Sequence, residues 1–309
     1  MKITIIGAAG NVGSCAAFNI TAQRLADELV LIDAPRQEMV TMHALDLNTA
    51  ATGLDTLVRT GDYADMEGSN MVIVAAGSAK TFTSRMEVLP ENLPIIRDIA
   101  GKVRQFCPGT VVITATNPVD PLNYAMSLVS NLDRHRVIGY SANDSIRFRM
   151  RLAQAFGVKS SQVEASVIGE HGNSQVLLFS SVRINGKPVP VDEDTKQRIR
   201  QQVPEGQQVL EEMRVKTGRT AAWTTAVGLA SICRAIGQNT GEMIPCSVVL
   251  NGEYGCHGLS MAVPAILDSG CVRDIVEWKL APDEEEELKR SIDILKPAMR
   301  YVEQSLGLR

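Results

Sequence analysis

Ile3-Thr4-Ile5-Ile6 runs without interruption into Gly7-Ala8-Ala9-Gly10-Asn11-Val12-Gly13. The first four residues read as a strand buried on both faces, because they form a short apolar and β-branched run rather than an alternating one. The glycines allow a tight turn and let backbone come close to a pyrophosphate. The helix that follows, expected over 12–25, offers free N–H groups and positive potential at its start. Twenty residues after Gly13, Asp33 closes a second apolar run, Leu29 to Ile32. A carboxylate there can accept hydrogen bonds from a ribose 2′-hydroxyl and repels a 2′-phosphate. A plain strand-to-helix turn would not require that acid. Strand, turn, helix and acid together predict a dinucleotide site at Gly7, Gly10, Asn11, Val12 and Gly13, with Asp33 on the ribose.

The pattern continues outward. Met71 to Ala75, Thr110 to Thr114 and Arg136 to Gly139 are further buried-strand runs, separated by helical stretches near 36–48, 86–106 and 119–131. Strand–helix repetition of this kind gives right-handed crossovers and a doubly wound parallel sheet of the Rossmann kind, which binds ligands beyond its strands' carboxyl ends. From about residue 144 the character changes. A helix over 144–156 is followed by strand runs at Val163 to Ile168 and Val176 to Ile184. Asn185-Gly186 then marks a hairpin into Lys187 to Val191, because both turn residues tolerate positive φ. Helices are expected near 193–216 and 221–237, strands at Cys246 to Leu250 and Gly258 to Val263, and a last helix from Pro282. The expected class is therefore α/β, with a Rossmann domain over 1–143 and an α+β catalytic or substrate domain over 144–309.

Composition narrows the function. The 309 residues suffice for about two domains and a core that needs no staple. With 31 basic and 35 acidic side chains and a net charge of −4, nothing resembles a footprint for nucleic acid. No apolar run is long enough to span a bilayer. Lys2 and Val12-Gly13-Ser14-Cys15 loosely mimic a lipoprotein signal, but the glycines and Asn11 break the apolar stretch. Six cysteines without C-x-x-C spacing and four histidines without H-x-x-x-H spacing predict reduced thiols, a cytoplasmic location and no metal.

Three clusters carry chemistry. His171 lies between glycines in Ile168-Gly169-Glu170-His171-Gly172, at a strand end, and suits proton transfer near neutral pH. Asp144 and Arg147 stand i, i+3 at a helix start. Their bland reading is a surface ion pair. Their functional reading has Asp144 orienting a histidine and Arg147 gripping a carboxylate through two parallel hydrogen bonds. Ala75 to Arg85 is long enough to form a lid carrying a cation, and Thr116-Asn117-Pro118-Val119-Asp120 puts an amide, Asn117, before a helix where it could hold a ligand or serve as a cap.

Taken together and in order, these pieces resemble the lactate/malate dehydrogenase family, closest to its lactate-dehydrogenase-like malate dehydrogenases. The resemblance spans essentially the whole chain. It implies NAD as cofactor, a small 2-hydroxy or 2-oxo acid as substrate, and a homodimer or homotetramer. By position, His171 resembles the general acid/base, Asp144 its partner, Arg147 the carboxylate clamp and Arg85 the lid arginine that polarises the carbonyl. Asn117 resembles the amide on the substrate oxygen and, with Ala76 and Gly77, lies on the cofactor side. Thr220 matches a pocket residue. Malate and oxaloacetate are the favoured pair, which would place the enzyme in the tricarboxylic acid cycle. The alternative is lactate and pyruvate or another 2-hydroxy acid.

The chain departs from the family in three places. In a lid one residue shorter and without Pro-Gly, Lys80 stands where malate enzymes typically carry arginine within Arg-Lys-Pro-Gly; it either meets a second substrate carboxylate or, with the register shifted, is solvated. Ala221-Ala222-Trp223, next to Thr220, is unusual for the family. Asn143 precedes Asp144 where leucine is usual. Two competing classes have their own requirements. A short-chain dehydrogenase would need Tyr-x-x-x-Lys, which none of the five tyrosines begins. A non-enzymatic NAD-binding module would not need His171, Asp144, Arg85 and Arg147 together.

Overall fold

The computed structural model describes residues 1–78 and 86–308, apart from the side chain of Cys271. The lid residues Lys80 and Arg85 lie outside the described residues. In the first half β1 (Lys2–Ile6), α1 (Asn11–Ala22), β2 (Glu28–Ile32), α2 (Gln37–Ala50), β3 (Leu57–Thr60), β4 (Met71–Val74), α3 (Leu89–Phe106), β5 (Val111–Thr114), α4 (Val119–Ser130) and β6 (Val137–Gly139) follow in turn. The strands lie parallel in the order β3-β2-β1-β4-β5-β6. Chain order reverses between β1 and β4, which is where a doubly wound sheet opens a crevice for its ligand.

The second half contains α5 (Ala142–Phe156), β7 (Val163–Glu164), β8 (Val167–Ile168), β9 (Val176–Leu177), β10 (Arg183–Ile184), β11 (Lys187–Pro188), α6 (Glu193–Thr217), α7 (Trp223–Gly237), β12 (Glu242–Asn251), β13 (His257–Asp268), β14 (Cys271–Ile275) and α8 (Pro282–Ser305). β12, β13 and β14 add to the parallel sheet antiparallel beyond β6, giving nine strands in one hydrogen-bonded sheet. One large core spans both halves, and a smaller one gathers around Phe148 and Phe179, whose rings meet edge to face at 5.0 Å.

Several sequence expectations are corrected here. β3 has no counterpart among the expected strands. It is the sheet edge, so Leu57 stays exposed and only Val58 is buried, a pattern too weak to read as a core strand. Val163 to Ile168 is two short strands, not one, each paired with a different partner. Val176 to Ile184 is likewise broken by a helical turn at Phe179–Ser181 that sends Phe179 into the small core. The hairpin at Asn185-Gly186 forms, with φ of 51° and 73°, the left-handed pair that such a tight turn demands. No described helix is long and apolar enough to cross a membrane.

Candidate active site

The glycine turn sits at the crevice between β1 and β4. Gly7 has φ 88°, and a Cβ there would stand 2.5 Å from the backbone nitrogen of Ala76. Gly7 N–H and Ala8 N–H both donate to Ile32 O, at 2.8 and 3.2 Å, so the turn is fastened to the end of β2. Gly10 caps α1 without a side-chain hydrogen bond, leaving the first N–H groups of the helix available to an anion. Asn11 donates to Thr220 O at 3.3 Å, which brings the α6–α7 connection against the turn.

Asp33 is buried beside this turn and accepts from Ala9 N–H at 3.1 Å. It is also forked by Arg36, whose Nη2 donates to Oδ2 at 2.8 Å and Nε to Oδ1 at 3.3 Å. The sequence reading assigned Arg36 no role. It presents a cation beside the Asp33 carboxylate.

Ala76 and Gly77 leave β4 opposite Gly7. Thr116 Oγ1 donates to Ala76 O at 2.7 Å, and Asn92 of α3 receives Ser78 N–H at 2.7 Å while donating to Asn117 O at 2.7 Å. Asn92, buried and unmarked in the sequence, thus ties the backbone at Ser78 to the loop carrying Asn117. The side-chain oxygen of Asn117 is buried and has no hydrogen-bond partner among the described residues. A buried amide oxygen left unmatched costs free energy, and a bound ligand that donates to it would recover that cost.

His171 follows β8. Gly169 exchanges backbone hydrogen bonds of 2.9 Å with Ala262 of β13, which anchors the loop to the main sheet. Val167 N–H donates to Ser145 Oγ at 2.9 Å, so the strand leading to His171 is tied to the helix that bears Asp144 and Arg147. His171 Nδ1 lies 2.6 Å from Asp144 Oδ2, with both side chains buried. An ionised carboxylate only accepts, so in the neutral ring Nδ1 carries the proton and Nε2 is the basic nitrogen. Arg147 Nη1 donates to Asp144 Oδ1 at 3.3 Å, and Gln207 of α6 reaches the same oxygen at 3.3 Å. Nothing in the sequence singled out Gln207, one glutamine among many on a polar helix.

Asn143 fills the place where leucine was expected. Its oxygen accepts from Tyr140 O–H at 2.8 Å and its amide donates to Thr225 Oγ1 at 2.9 Å. The polar residue is therefore satisfied, and it fastens α5 to α7 one residue before Asp144. Burial holds the Tyr140 phenol well above its ordinary range, so it stays a neutral donor.

A family model described as the lactate/malate dehydrogenase NAD-binding domain matches residues 1–139, and one described as the lactate/malate dehydrogenase alpha/beta C-terminal domain matches residues 143–305. The chain belongs to the lactate/malate dehydrogenase family. It is an NAD-dependent dehydrogenase acting on a CH–OH group. It is similar to the malate dehydrogenase of Halobacterium salinarum, with 38% identity over 298 residues, 95% of this chain and 97% of that one. It is 35% identical over 318 residues to L-lactate dehydrogenase 1 of Staphylococcus aureus, covering 98% and 97% of the two chains. The crystal structure of Cryptosporidium parvum malate dehydrogenase superimposes with a TM-score of 0.90 at 28% identity, over 98% of this chain and 99% of that one. Lactate dehydrogenase from the same organism, solved with lactic acid and nicotinamide adenine dinucleotide, gives 0.88 at 31% identity over 98% of each chain. Both structural neighbours share the NAD-binding sheet and the C-terminal half of this dehydrogenase.

Proposed function

We propose that this dehydrogenase interconverts malate and oxaloacetate, with His171 as its general acid/base. The observation that carries the catalytic reading is the buried 2.6 Å contact between His171 Nδ1 and Asp144, with Arg147 on the same carboxylate. Relatives named malate dehydrogenase at 36–39% identity support the substrate. A second reading, lactate and pyruvate, is favoured by the relatives named L-lactate dehydrogenase at 35%.

The uncapped start of α1 and the unmatched Asn117 oxygen suit NAD. Gly10, Asn11, Val12 and Gly13 would hold the pyrophosphate, Asp33 the ribose, and Ala76, Gly77 and Asn117 the nicotinamide side. NADH, when bound, supplies the hydride. In reduction the His171 imidazolium delivers its Nε2 proton to the carbonyl oxygen and becomes neutral, while Asp144, accepting from Nδ1–H, stabilises the cation beforehand and holds the ring's orientation. In oxidation neutral His171 takes the hydroxyl proton, and Asp144 stabilises the imidazolium formed. Arg147 grips the carboxylate shared by all 2-oxo acids, in a geometry that lysine cannot copy. Arg85 is proposed to polarise the carbonyl and Lys80 to meet the second carboxylate of malate, while Thr220 borders the site at the glycine turn.

The same reading divides the chain into an NAD-binding domain, 1–143, and a catalytic domain, 144–309. The change from parallel to antiparallel pairing between β6 and β12 supports this division. It also includes a cytoplasmic homo-oligomer. The cysteines with described side chains are all free thiols. Exposed Met39, Met42 and Leu45 on α2 supply apolar surface for a second copy.

The test is NADH consumption at 340 nm with oxaloacetate and pyruvate offered separately to the wild-type enzyme. A kcat/KM favouring oxaloacetate is expected. Preference for pyruvate selects the second reading, and no turnover with any 2-oxo acid in a wider panel defeats both.

A further inference from the structure

Asp120 lies in the first turn of α4, remote in sequence from His171, and is buried. Its Oδ2 accepts the backbone N–H of His171 at 2.7 Å. Its Oδ1 accepts Ser247 O–H of β12 at 2.6 Å. Ser247 Oγ is in turn 2.9 Å from Ser260 Oγ of β13, and Asn123, one turn along α4, donates to Ser260 Oγ at 3.1 Å and Ser247 O at 3.2 Å. One carboxylate thus joins three pieces of chain: the helix that follows the Asn117 loop, the His171 loop and the antiparallel extension of the sheet.

We infer that Asp120 is a positioning residue of this enzyme, clamping the main chain of His171 so that its imidazole meets Asp144 in a fixed place. The inference rests on reading His171 as the acid/base. Asp144 holds the ring by its Nδ1, and the ring moves with its backbone. Asp120 restrains that backbone, because its other oxygen is anchored to β12. A reacting proton must travel along a line set to a fraction of an ångström, so a loose backbone at His171 lowers the rate without weakening the carboxylate grip at Arg147.

Ionised, the carboxylate accepts one hydrogen bond at each oxygen. Protonated, it keeps both anchors, because Ser247 O–H can turn and accept the carboxyl proton. Burial is the largest influence on this carboxyl and pushes it up to about 6; the Ser247 and His171 hydrogen bonds oppose the rise. The charged groups that act on it are His171, which favours the ionised form, and Glu170, which opposes it. The clamp therefore holds on both sides of that value, and its work is geometric.

Two variants separate geometry from charge. Asparagine can offer its oxygen to His171 N–H and its amide to Ser247 Oγ, because a serine hydroxyl also accepts. Alanine removes both anchors. The measurement is kcat and KM for oxaloacetate reduction from pH 4.5 to 9, with NADH affinity read by fluorescence. Asp120→Ala should lower kcat roughly ten- to hundredfold with NADH affinity unchanged and KM within about twofold. Asp120→Asn should recover most of that loss at every pH in the range. A wild-type kcat in Asp120→Ala overturns the inference, as does Asp120→Asn falling as far as Asp120→Ala. If Asp120→Ala does not fold, Ser247→Ala, which removes only the anchor on β12, takes its place: kcat should fall with KM little changed, and an unchanged kcat overturns the inference. His171→Asn is measured alongside. If that variant turns over normally, the acid/base reading itself has failed; if it is inactive while both Asp120 variants behave as wild type, only the clamp has.

Discussion

At the scale of single residues, the proposed chemistry rests on the His171–Asp144 contact. His171→Asn keeps the size and a polar group but cannot exchange a proton at neutral pH. It should lower kcat by about 100- to 10,000-fold, the range general acid/base catalysis supplies, and near-normal turnover in a steady-state assay would remove His171 from the mechanism. Arg147→Lys should act mainly on KM, because an ammonium cannot reproduce the two parallel hydrogen bonds of a guanidinium. Unchanged KM and kcat would count against the clamp. His171, Asp144, Arg147 and Asn117 were all legible in the sequence, since each sits in a short segment of distinctive composition. Asn92, Gln207 and the positioning role of Asp120 were not. Each is an ordinary polar residue on a helix, and it gains meaning only from a partner 25, 63 or 51 residues away.

At the scale of elements, the β1–α1 turn is the part with least tolerance. Gly7 needs a positive φ and stands against the Ala75–Ala76 backbone, so any side chain must both strain the turn and push β1 away from β4. Gly7→Ala should destabilise the fold by about 1–3 kcal/mol and weaken NADH binding at least tenfold. Thermal melting and fluorescence titration check the two effects, and wild-type values of both would show that the turn can relax. This element was readable because glycine chemistry is local. The broken strands 163–168 and 176–184 were not, because an apolar run does not say where tertiary packing bends it. The turn at Phe179–Ser181 exists because Phe179 has a ring to meet in the small core.

For the molecule as a whole, both halves build one sheet, which carries the glycine turn at one end of β1 and anchors the His171 loop on β13, and Asp120 is buried where the halves join. A carboxyl with a native value near 6, against an ordinary 3.8, favours the protonated form in the folded state. Its contribution to stability is therefore greatest below about pH 4, falls as pH rises through 6 and stays unfavourable above, by roughly 3 kcal/mol. Asp120→Asn should melt higher than wild type at pH 7.5 and lose that advantage at pH 4. Equal melting temperatures at both pH values would mean that the carboxyl is not held in its burdened state. The proposed homo-oligomer makes a second prediction: light scattering should give a multimer for the wild type and a monomer for Met42→Glu with Leu45→Glu, and an unchanged mass would overturn the proposed contact on α2.

The sequence by itself determined the parallel first half, the glycine turn with its acid, and the residue types of the proposed catalytic set. Glycine turns, buried-strand runs and an acid at a fixed spacing act over a few residues, and their physical requirements are visible wherever they occur. Only the tertiary structure decided that β12–β14 extend the same sheet, that Arg36 shares Asp33, and that Asp120 and Gln207 converge on the His171–Asp144 pair. Those contacts follow from how helices and strands pack, and packing is set by the shapes of surfaces that are far apart along the chain.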